Sequence, residues 1–263
     1  MNEIMISTPS ASVSKNEKPD LKEVVIVSHL FKSFGSNHVL ADFNLVLNKG
    51  ESIVVLGKSG SGKSVLIKCI IGLLKPDNGE IRVLGKNIAE LNDSEMDELR
   101  AKIGFLFQSN ALYDSMTVRD NLEFPLRRHW IQVTPEEVNR MVMEALDDVG
   151  LQHTVDMMPA ELSGGMRKRI ALARTLILKP EVILYDEPTT GLDPITSKEI
   201  IELMLEIQHK YNTSSLIISH DMNCVRLASD KVAVLLNGKC HTCETYEDLK
   251  NSKDPEVMKF FQI

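Results

Sequence analysis

The sequence predicts an α/β fold built around a parallel β-sheet. Three short apolar runs indicate its strands, because each has the length of a buried strand and ends in polar residues. They are ESIVVL before Gly57, EVILYDE ending in Asp186 and Glu187, and TSSLIIS before His220. Strands that are apolar throughout are typical of a parallel sheet covered by helices on both faces. Because such strands end at one edge of the sheet, we expect their polar residues to share one crevice.

The composition excludes several classes of function. The chain has 263 residues, of which 43% are hydrophobic, and this is enough for a substantial core. Its net charge of −7 argues against nucleic-acid binding and against unaided attachment to an anionic membrane. No apolar run approaches the roughly 20 residues that span a bilayer, and there is no signal-peptide core, so we expect a cytosolic protein. Residues 1–20 are polar and predict a flexible tail before a folded domain at 21–263.

The segment GKSGSGKS follows the first predicted strand and fits the pattern GxxxxGK[ST]. The apolar run VLIKCIIGLL behind it predicts a buried helix. Glycines let the backbone turn its N–H groups inward around phosphates, Lys63 can reach the β- and γ-phosphates, and the Ser64 hydroxyl can bind Mg²⁺. The sequence therefore predicts a site for a nucleoside triphosphate with Mg²⁺. Its residues are Gly57, Lys58, Ser59, Gly60, Ser61, Gly62, Lys63 and Ser64.

Four further side chains at strand ends fit the chemistry of this site. Asp186 is suited to hold the Mg²⁺ hydration shell, and Glu187 is suited to polarise an attacking water. The strand ending at His220 can bring its imidazole to the γ-phosphate. Gln108 ends the strand-like run KIGFLFQ and can reach the metal or the attacking water. Each of these residues taken alone also has an ordinary structural interpretation.

The segment ELSGGMRKRIALAR predicts a helix that begins on Ser163 and is followed by Gly164 and Gly165. Two glycines behind a capping serine leave backbone N–H groups bare at the positive end of the helix dipole. Such a terminus favours an anion, although an ordinary capped helix is the alternative. The run RKR at 167–169 is interpreted as a solvated face.

Six motifs occur in the order found in one family: GKSGSGKS, Gln108, LSGGM, ILYDE, GLD at 191–193 and SHD at 219–221. With them the chain, apart from its tail, resembles the ATP-binding subunit of an ABC transporter. The resemblance implies a Mg²⁺-dependent ATPase with a RecA-like P-loop core, an antiparallel β subdomain and an inserted helical subdomain at 109–178. It also implies that Phe34 stacks on adenine, although Phe34 could otherwise be a core aromatic.

The resemblance further implies that the chain works with a second copy of itself. In the family, the Ser-Gly-Gly helix faces the phosphate loop of the partner subunit, so that each ATP lies between two chains. Ser163, Gly164 and Gly165 would then contact the partner's γ-phosphate, Asp193 would make a contact across the dimer, and His220 would sense the γ-phosphate. The commonest family pattern has glutamine where this chain has Met166. Met166 lacks the amide donors and acceptors of glutamine, whereas Glu187 and His220 are both present. We therefore expect that the chain hydrolyses ATP, at a rate reduced by the lost polar contact.

Several segments resemble the Mla-type and Mce-type lipid-trafficking branch, among them LFQSNALYDSMTVRDNLEFPLR, DEPTTGLDPIT and DPEVMKFF. This implies phospholipid cargo, a membrane permease docked on the helical subdomain at the inner face of the membrane, and a small regulatory subunit at the C-terminal extension, 244–263. An importer of an amino acid or a metal complex, and a soluble scaffold ATPase without a permease, remain open. Candidates for the permease contact, which could equally be core, are Tyr113, Met116, Val118, Leu122, Phe124 and Leu126.

The four cysteines are Cys69, Cys224, Cys240 and Cys243. They are too few and too unevenly spaced to predict a disulfide framework. The pair Cys240 and Cys243 has metal-site spacing, but zinc needs about four ligands and there is no second pair. We expect a turn near the edge of the sheet at this point.

Overall fold

The computed structural model describes residues 22–128 and 133–261, so the predicted tail at 1–20 lies outside it. The first strands form an antiparallel sheet in the order β2-β1-β4-β5. Its strands are β1 (Glu23–Phe34), β2 (Asn37–Asn48), β4 (Asn78–Val83) and β5 (Lys86–Asn87). This is the antiparallel part that the resemblance implied.

The second sheet has six strands in the order β10-β9-β3-β8-β7-β6. They are β3 (Ser52–Leu56), β6 (Ile103–Leu106), β7 (Val182–Asp186), β8 (Ser214–Ser219), β9 (Lys231–Leu236) and β10 (Lys239–Glu244). β3 and β6 to β9 pair in parallel, and β10 runs antiparallel to β9. Every residue of β3, β7 and β8 is buried, which confirms the predicted parallel sheet.

The strand β3 divides the apolar core into two parts, because its successive side chains point to opposite faces of the sheet. Ile53 and Val55 pack toward the antiparallel sheet, with α1 (Lys63–Ile70) and α2 (Asp93–Ala101). Val54 and Leu56 pack on the other side against the remaining helices. Helix α1 ends at Ile70, four residues before the predicted apolar run ends.

Between β6 and β7 the chain forms α3 (Val118–Arg128), α4 (Pro135–Asp147), short turns at Gln152–Thr154 and Pro159–Glu161, and α5 (Gly164–Leu176). Helix α4 begins after Thr134, because Thr134 and Glu137 form a reciprocal capping box. These helices fall within the predicted interval 109–178. Its role as a separate subdomain stays a prediction.

Three of the candidates for a permease contact belong to the core. Val118, Leu122 and Leu126 on α3 are buried in the main apolar cluster, so the suggestion that they face a partner is wrong. The three positions are spaced by four residues, which places them on one inward face of the helix. Tyr113 is exposed and its ring centroid lies 4.8 Å from that of Phe124.

The remaining helices are α6 (Pro194–Tyr211), α7 (Met222–Ala228), α8 (Tyr246–Lys250) and α9 (Pro255–Met258). The last two lie in the C-terminal extension, 244–263. Phe260 and Phe261 pack back onto the main core, and the Phe261 ring centroid lies 5.5 Å from that of Tyr246.

The predicted turn at Cys240 to Cys243 is wrong, because both residues lie in the edge strand β10. The turn is two residues earlier, at Asn237 and Gly238, which have φ values of 49° and 75°. Positive φ at both central residues is typical of a tight hairpin turn, and an Asn-Gly pair adopts it readily. No cluster of His, Cys, Asp and Glu suited to a metal ion occurs in the described part of the chain.

Candidate functional site

The predicted phosphate loop connects the buried end of β3 to α1. Two of its glycines are required by close packing. A Cβ at Gly57 would lie 2.7 Å from Ser61 Oγ and 3.1 Å from the Leu235 carbonyl oxygen, and a Cβ at Gly62 would lie 2.6 Å from a methyl carbon of Val39. Gly62 also has φ of 104°, which favours glycine. The loop is therefore packed closely against Val39 of β2 and Leu235 of β9.

Lys63 and Ser64, the first residues of α1, connect this loop to the ends of the neighbouring strands. The Lys63 Nζ atom donates hydrogen bonds to the carbonyl oxygens of Gly57 at 2.9 Å and Lys58 at 3.2 Å. The Ser64 hydroxyl donates to Asp186 Oδ1 at 3.0 Å. The predicted ammonium, hydroxyl and carboxylate therefore lie together.

Burial raises the pKa of Asp186, and the adjacent Glu187 carboxylate acts in the same direction, whereas the hydrogen bond from Ser64 lowers it. A divalent cation beside Asp186 would offset this cost of burying negative charge. Hydroxyl, amide and carboxylate oxygens are donors that Mg²⁺ accepts, and Mg²⁺ completes its shell with water and phosphate oxygens. Ser64, Asp186 and Gln108 are therefore a chemically suitable set to hold it.

Glu187 is in a left-handed backbone conformation with φ of 51°, which is uncommon for a residue with a side chain. Its N–H donates to the Ile218 carbonyl oxygen at 2.9 Å, which fixes the residue against β8. The Glu187 Oε1 atom lies 3.7 Å from Lys63 Nζ, and Oε2 lies 2.8 Å from His220 Nδ1. Strained backbone of this kind is concentrated at functional sites, and here it directs a buried carboxylate toward the phosphate loop.

These groups line one cavity of about 350 Å³. Phe34 lies on its wall with 49% of its side chain exposed, and Lys32 Nζ lies 5.4 Å from its ring centroid. An aromatic face left this open can accept a stacked base. The cavity is lined by Phe34, Val39, Ser59, Gly60, Gly62, Lys63, Ser64, Val65, Gln108, Glu187 and His220.

One buried group in the loop supports the fit of a phosphate ligand. Ser61 Oγ is buried, and it has no hydrogen-bond partner among the described residues. A buried hydroxyl without a partner costs free energy, on the order of 1 to 3 kcal/mol. A phosphate oxygen held in the loop would offer an acceptor at this point.

The structure does not bring Ser163, Gly164, Gly165 and Asp193 to this cavity. They line a second cavity of about 460 Å³, which shares no lining residue with the first. Ser163 caps α5, as predicted, by accepting a hydrogen bond from the Met166 N–H at 3.2 Å. Apart from its chain neighbours and its own helix backbone, a Cβ at Gly164 would meet no described atom within 4 Å, so the terminus is open at this residue, whereas a Cβ at Gly165 would lie 2.8 Å from a methyl carbon of Thr196.

Asp193 caps α6 with its side chain, which accepts hydrogen bonds from the N–H groups of Ile195 and Thr196. The Thr196 hydroxyl donates to the same carboxylate at 2.6 Å and lowers the pKa of Asp193. The ends of α5 and α6 therefore face the same second cavity. The roles of all these residues toward a nucleotide stay predictions.

Lys168 is the residue that sequence reasoning missed. The interpretation of 167–169 as a solvated face is wrong for its central residue, because Lys168 is 2% exposed. Its Nζ atom donates to the Gln108 carbonyl oxygen at 3.1 Å. Burial lowers the pKa of Lys168 to about 8, against the attraction of Asp186. The available signal was helical spacing, since Lys168 lies three and four residues before the buried Ala171 and Leu172.

The fold and the site define a class of protein. Residues 40–190, more than half of the chain, match the family model described as ABC transporter. The chain therefore belongs to the ABC transporter family, as a subunit that binds and hydrolyses ATP with Mg²⁺. This confirms the predicted fold class, activity and cofactors.

Three relatives of similar identity are named for the transport of different substances. The chain is 39% identical over 250 residues to the Probable ribonucleotide transport ATP-binding protein mkl of Mycobacterium leprae, covering 95% of this chain and 72% of that protein. It is 36% identical over 241 residues to the Intermembrane phospholipid transport system ATP-binding protein MlaF of Haemophilus influenzae, covering 92% and 91%. It is 38% identical over 229 residues to the Methionine import ATP-binding protein MetN of Rhizobium etli, covering 87% and 63%.

A solved structure of the ATP-binding cassette MJ0796, a dimer in a post-hydrolysis state bound to ADP and Pi, matches with a TM-score of 0.76 and 31% identity. The match covers 84% of this chain and 98% of that one. Within residues 22–128 and 133–261, no helix has the length and apolar content to cross a membrane.

We predict that Phe34→Ala weakens ATP binding by about 1 to 3 kcal/mol, because it removes the stacking surface for adenine. Isothermal titration with ATP measures the dissociation constant. Phe31→Ala is the matched control, since Phe31 lies on the same strand with 37% exposure but does not line the cavity. An equal effect of the two substitutions would show that Phe34 has no special contact with the base.

Proposed function

We propose that two copies of this chain bind two molecules of MgATP between them and use their hydrolysis to drive a membrane permease that moves phospholipid. The observation that carries the dimer proposal is the separation of the site into two cavities. One holds Lys63, Ser64, Glu187 and His220, and the other holds the helix terminus at Ser163–Gly165. Rotation of a second copy can place each terminus over the partner's phosphate loop, which makes both sites complete at once.

Within one cavity, Glu187 acts as the general base on the attacking water. Its carboxylate is buried and fixed between Lys63 and His220, so it is already oriented. His220 contacts the γ-phosphate through the ring nitrogen that does not face Glu187. Ser64, Asp186 and Gln108 would hold Mg²⁺, which would supply positive charge beside the bound phosphates.

The helix terminus of the partner completes the phosphate-binding surface. The N–H groups at Gly164 and Gly165 are at the positive end of α5, where they can donate to the γ-phosphate of the ATP held by the other chain. Asp193 lies beside them at the start of α6 and is positioned for the contact across the dimer. Because ATP supplies the charge that draws the two surfaces together, we expect ATP-dependent dimerisation. Met166 packs on the core, so it adds no polar contact here and turnover is slow.

We predict that Glu187→Gln lowers the ATPase rate about 100- to 10,000-fold, because the amide cannot accept the proton of the attacking water. This corresponds to about 2.7 to 5.5 kcal/mol of barrier. Phosphate release under saturating MgATP measures the rate. Glu202→Gln is the control, since Glu202 is exposed on α6 and pairs with Lys198. Unchanged turnover in Glu187→Gln would remove this residue from the role of base.

We predict that Lys63→Ala and Gly164→Asp each abolish turnover alone and regain it when the two purified variants are mixed. The space at Gly164 admits a side chain, so the aspartate disturbs the γ-phosphate by charge rather than by unfolding the helix. A mixed dimer contains one site built from an intact phosphate loop and an intact partner helix. Failure of every mixture to exceed its components would contradict a site shared between chains.

The permease is proposed to dock on the helices between β6 and β7, at the exposed Tyr113 and the half-buried Phe124 and Met116 near it. ATP-binding subunits of this family dimerise and work with permease subunits, which would place this chain at the inner face of the membrane. Phospholipid is the proposed cargo because the matching MlaF covers nearly the whole of both chains and is a phospholipid transport protein by name.

A second cargo class is supported by a specific relative. MetN is 38% identical and is named for methionine import, so an amino-acid importer is the alternative. The third candidate function is a soluble scaffold ATPase without a permease. The C-terminal extension is the proposed contact of a small regulatory subunit, although Phe260 and Phe261 already pack on the core.

We predict that tagged Glu187→Gln, purified with ATP from detergent-solubilised membranes, retains a multi-span permease and bound phospholipid. The slow variant keeps the ATP-bound dimer closed, so the complex survives purification. Mass spectrometry identifies proteins and lipids in the eluate. A permease with a small-molecule-binding protein and no lipid would support the importer instead. Soluble partners alone would contradict any transporter function.

A further inference from the structure

We propose that Lys168 is a positioning residue of the hydrolysis site, which holds the main chain of Gln108 against α5 so that the Gln108 amide is directed at the metal. The proposal rests on the proposed function, because it takes Gln108 as a ligand of Mg²⁺. Lys168 itself does not touch the nucleotide. It acts through the position of Gln108.

The need for such a contact follows from where the strand ends. Strand β6 ends at Leu106, so Gln108 lies two residues beyond the hydrogen-bonded sheet. Gln108 nevertheless lines the nucleotide cavity with Ser64 and Glu187. The Lys168 Nζ atom donates to the Gln108 carbonyl oxygen at 3.1 Å and fixes the backbone at this point.

A second cation of the same helix holds the residues that follow. Arg174 donates to the carbonyl oxygens of Ala111 at 2.7 Å and Asn110 at 3.1 Å. Asn110 and Ala111 have φ of 65° and 52°, and alanine is uncommon in this conformation. Helix α5 therefore holds three carbonyl groups of a strained loop, and the first of them belongs to Gln108.

The chemistry of Lys168 indicates that it positions Gln108 rather than stabilises the fold. Its side chain is buried, and its hydrogen-bonding partner is a neutral carbonyl group rather than a carboxylate. Burial of an ammonium group is unfavourable, and an apolar side chain of similar size is often neutral or stabilising at such a site. The attraction of Asp186 offsets part of that cost.

The contact also connects the two nucleotide sites of the proposed dimer. Helix α5 is capped by Ser163, and its first residues, Gly164 and Gly165, would contact the ATP of the partner. Lys168, five residues after Ser163, holds Gln108 at the ATP site of its own chain. A shift of α5 on binding the partner's γ-phosphate would therefore reach Gln108 through the Lys168 contact and the loop that Arg174 holds.

The test measures nucleotide binding rather than turnover. In the Glu187→Gln background, a fluorescent ATP analogue is titrated in the presence of Mg²⁺ and in the presence of EDTA. The ratio of the two dissociation constants gives the gain in affinity due to the metal. We expect Lys168→Met to reduce this gain about 10-fold, the scale for groups that orient metal ligands, and to leave affinity in EDTA unchanged. Lys168→Arg, which keeps a donor, restores the gain.

Three controls distinguish a loss of Gln108 positioning from a loss of folding. The melting temperature of Lys168→Met should equal or exceed that of the parent protein. Lys179→Met removes an exposed cation that pairs with Glu144 and should leave the metal gain unchanged. In a Gln108→Ala background, Lys168→Met should have no further effect, because the group that it positions is gone. Lys168→Gln, whose shorter side chain does not reach the carbonyl, gives the same test if the Met variant does not fold.

An unchanged metal gain in Lys168→Met would overturn the positioning role, and so would an equal loss of affinity in Mg²⁺ and in EDTA. A parent protein in which Mg²⁺ gives no gain at all would instead overturn the metal site on which the proposed function rests. A reduced gain that Lys168→Arg restores supports the proposal.

Discussion

The hydrogen bond between the Glu187 carboxylate and the His220 imidazole depends on a single constraint, the parallel alignment of β3, β8 and β7. Strand β8 lies between the other two, with Leu56 of β3 opposite Ser219 and Asp186 of β7 opposite Ile218. Because all three strands end at one edge, the phosphate loop, the carboxylates and the imidazole meet without any long loop. The buried apolar residues of the strands thus determine where the polar chemistry occurs.

The same sheet explains why the helix terminus at Ser163–Gly165 lies away from the phosphate loop of its own chain. The helix terminus at Ser163–Gly165 begins α5, which packs on the far side of the sheet core, and its terminus faces a different cavity from the phosphate loop. A helix terminus with bare N–H groups in an open cavity favours an anion from outside the chain. Association of two copies would supply that anion from the partner's ATP and bury both surfaces.

Much of the site could be predicted from the sequence because its residues occur in compact motifs. Lys63, Ser64, Asp186 and Glu187 each follow a strand or begin a helix, so their meeting at one edge required only the assumption of a parallel sheet. Phe34 was placed through the family resemblance alone. The structure adds what local patterns do not contain, including the left-handed conformation of Glu187 and its orientation toward His220.

The errors have a common physical origin. The charge of Lys168 favours solvent and the apolar character of Leu122 fits either a partner surface or the core, but the packing of each helix decides its exposure. The pair Cys240 and Cys243 was placed in a turn because the Asn237-Gly238 signal just before it was not used. In each case the exposure or the secondary structure of the residue was determined by its tertiary neighbours or by a turn signal two residues away.

In the proposed dimer, two chains enclose ATP between them. Light scattering on Glu187→Gln, with and without MgATP, combined with counting of bound nucleotide, tests this arrangement. We expect a monomer without ATP and a dimer that retains two nucleotides when MgATP is present. A monomer that binds one ATP and remains a monomer at saturation would contradict it.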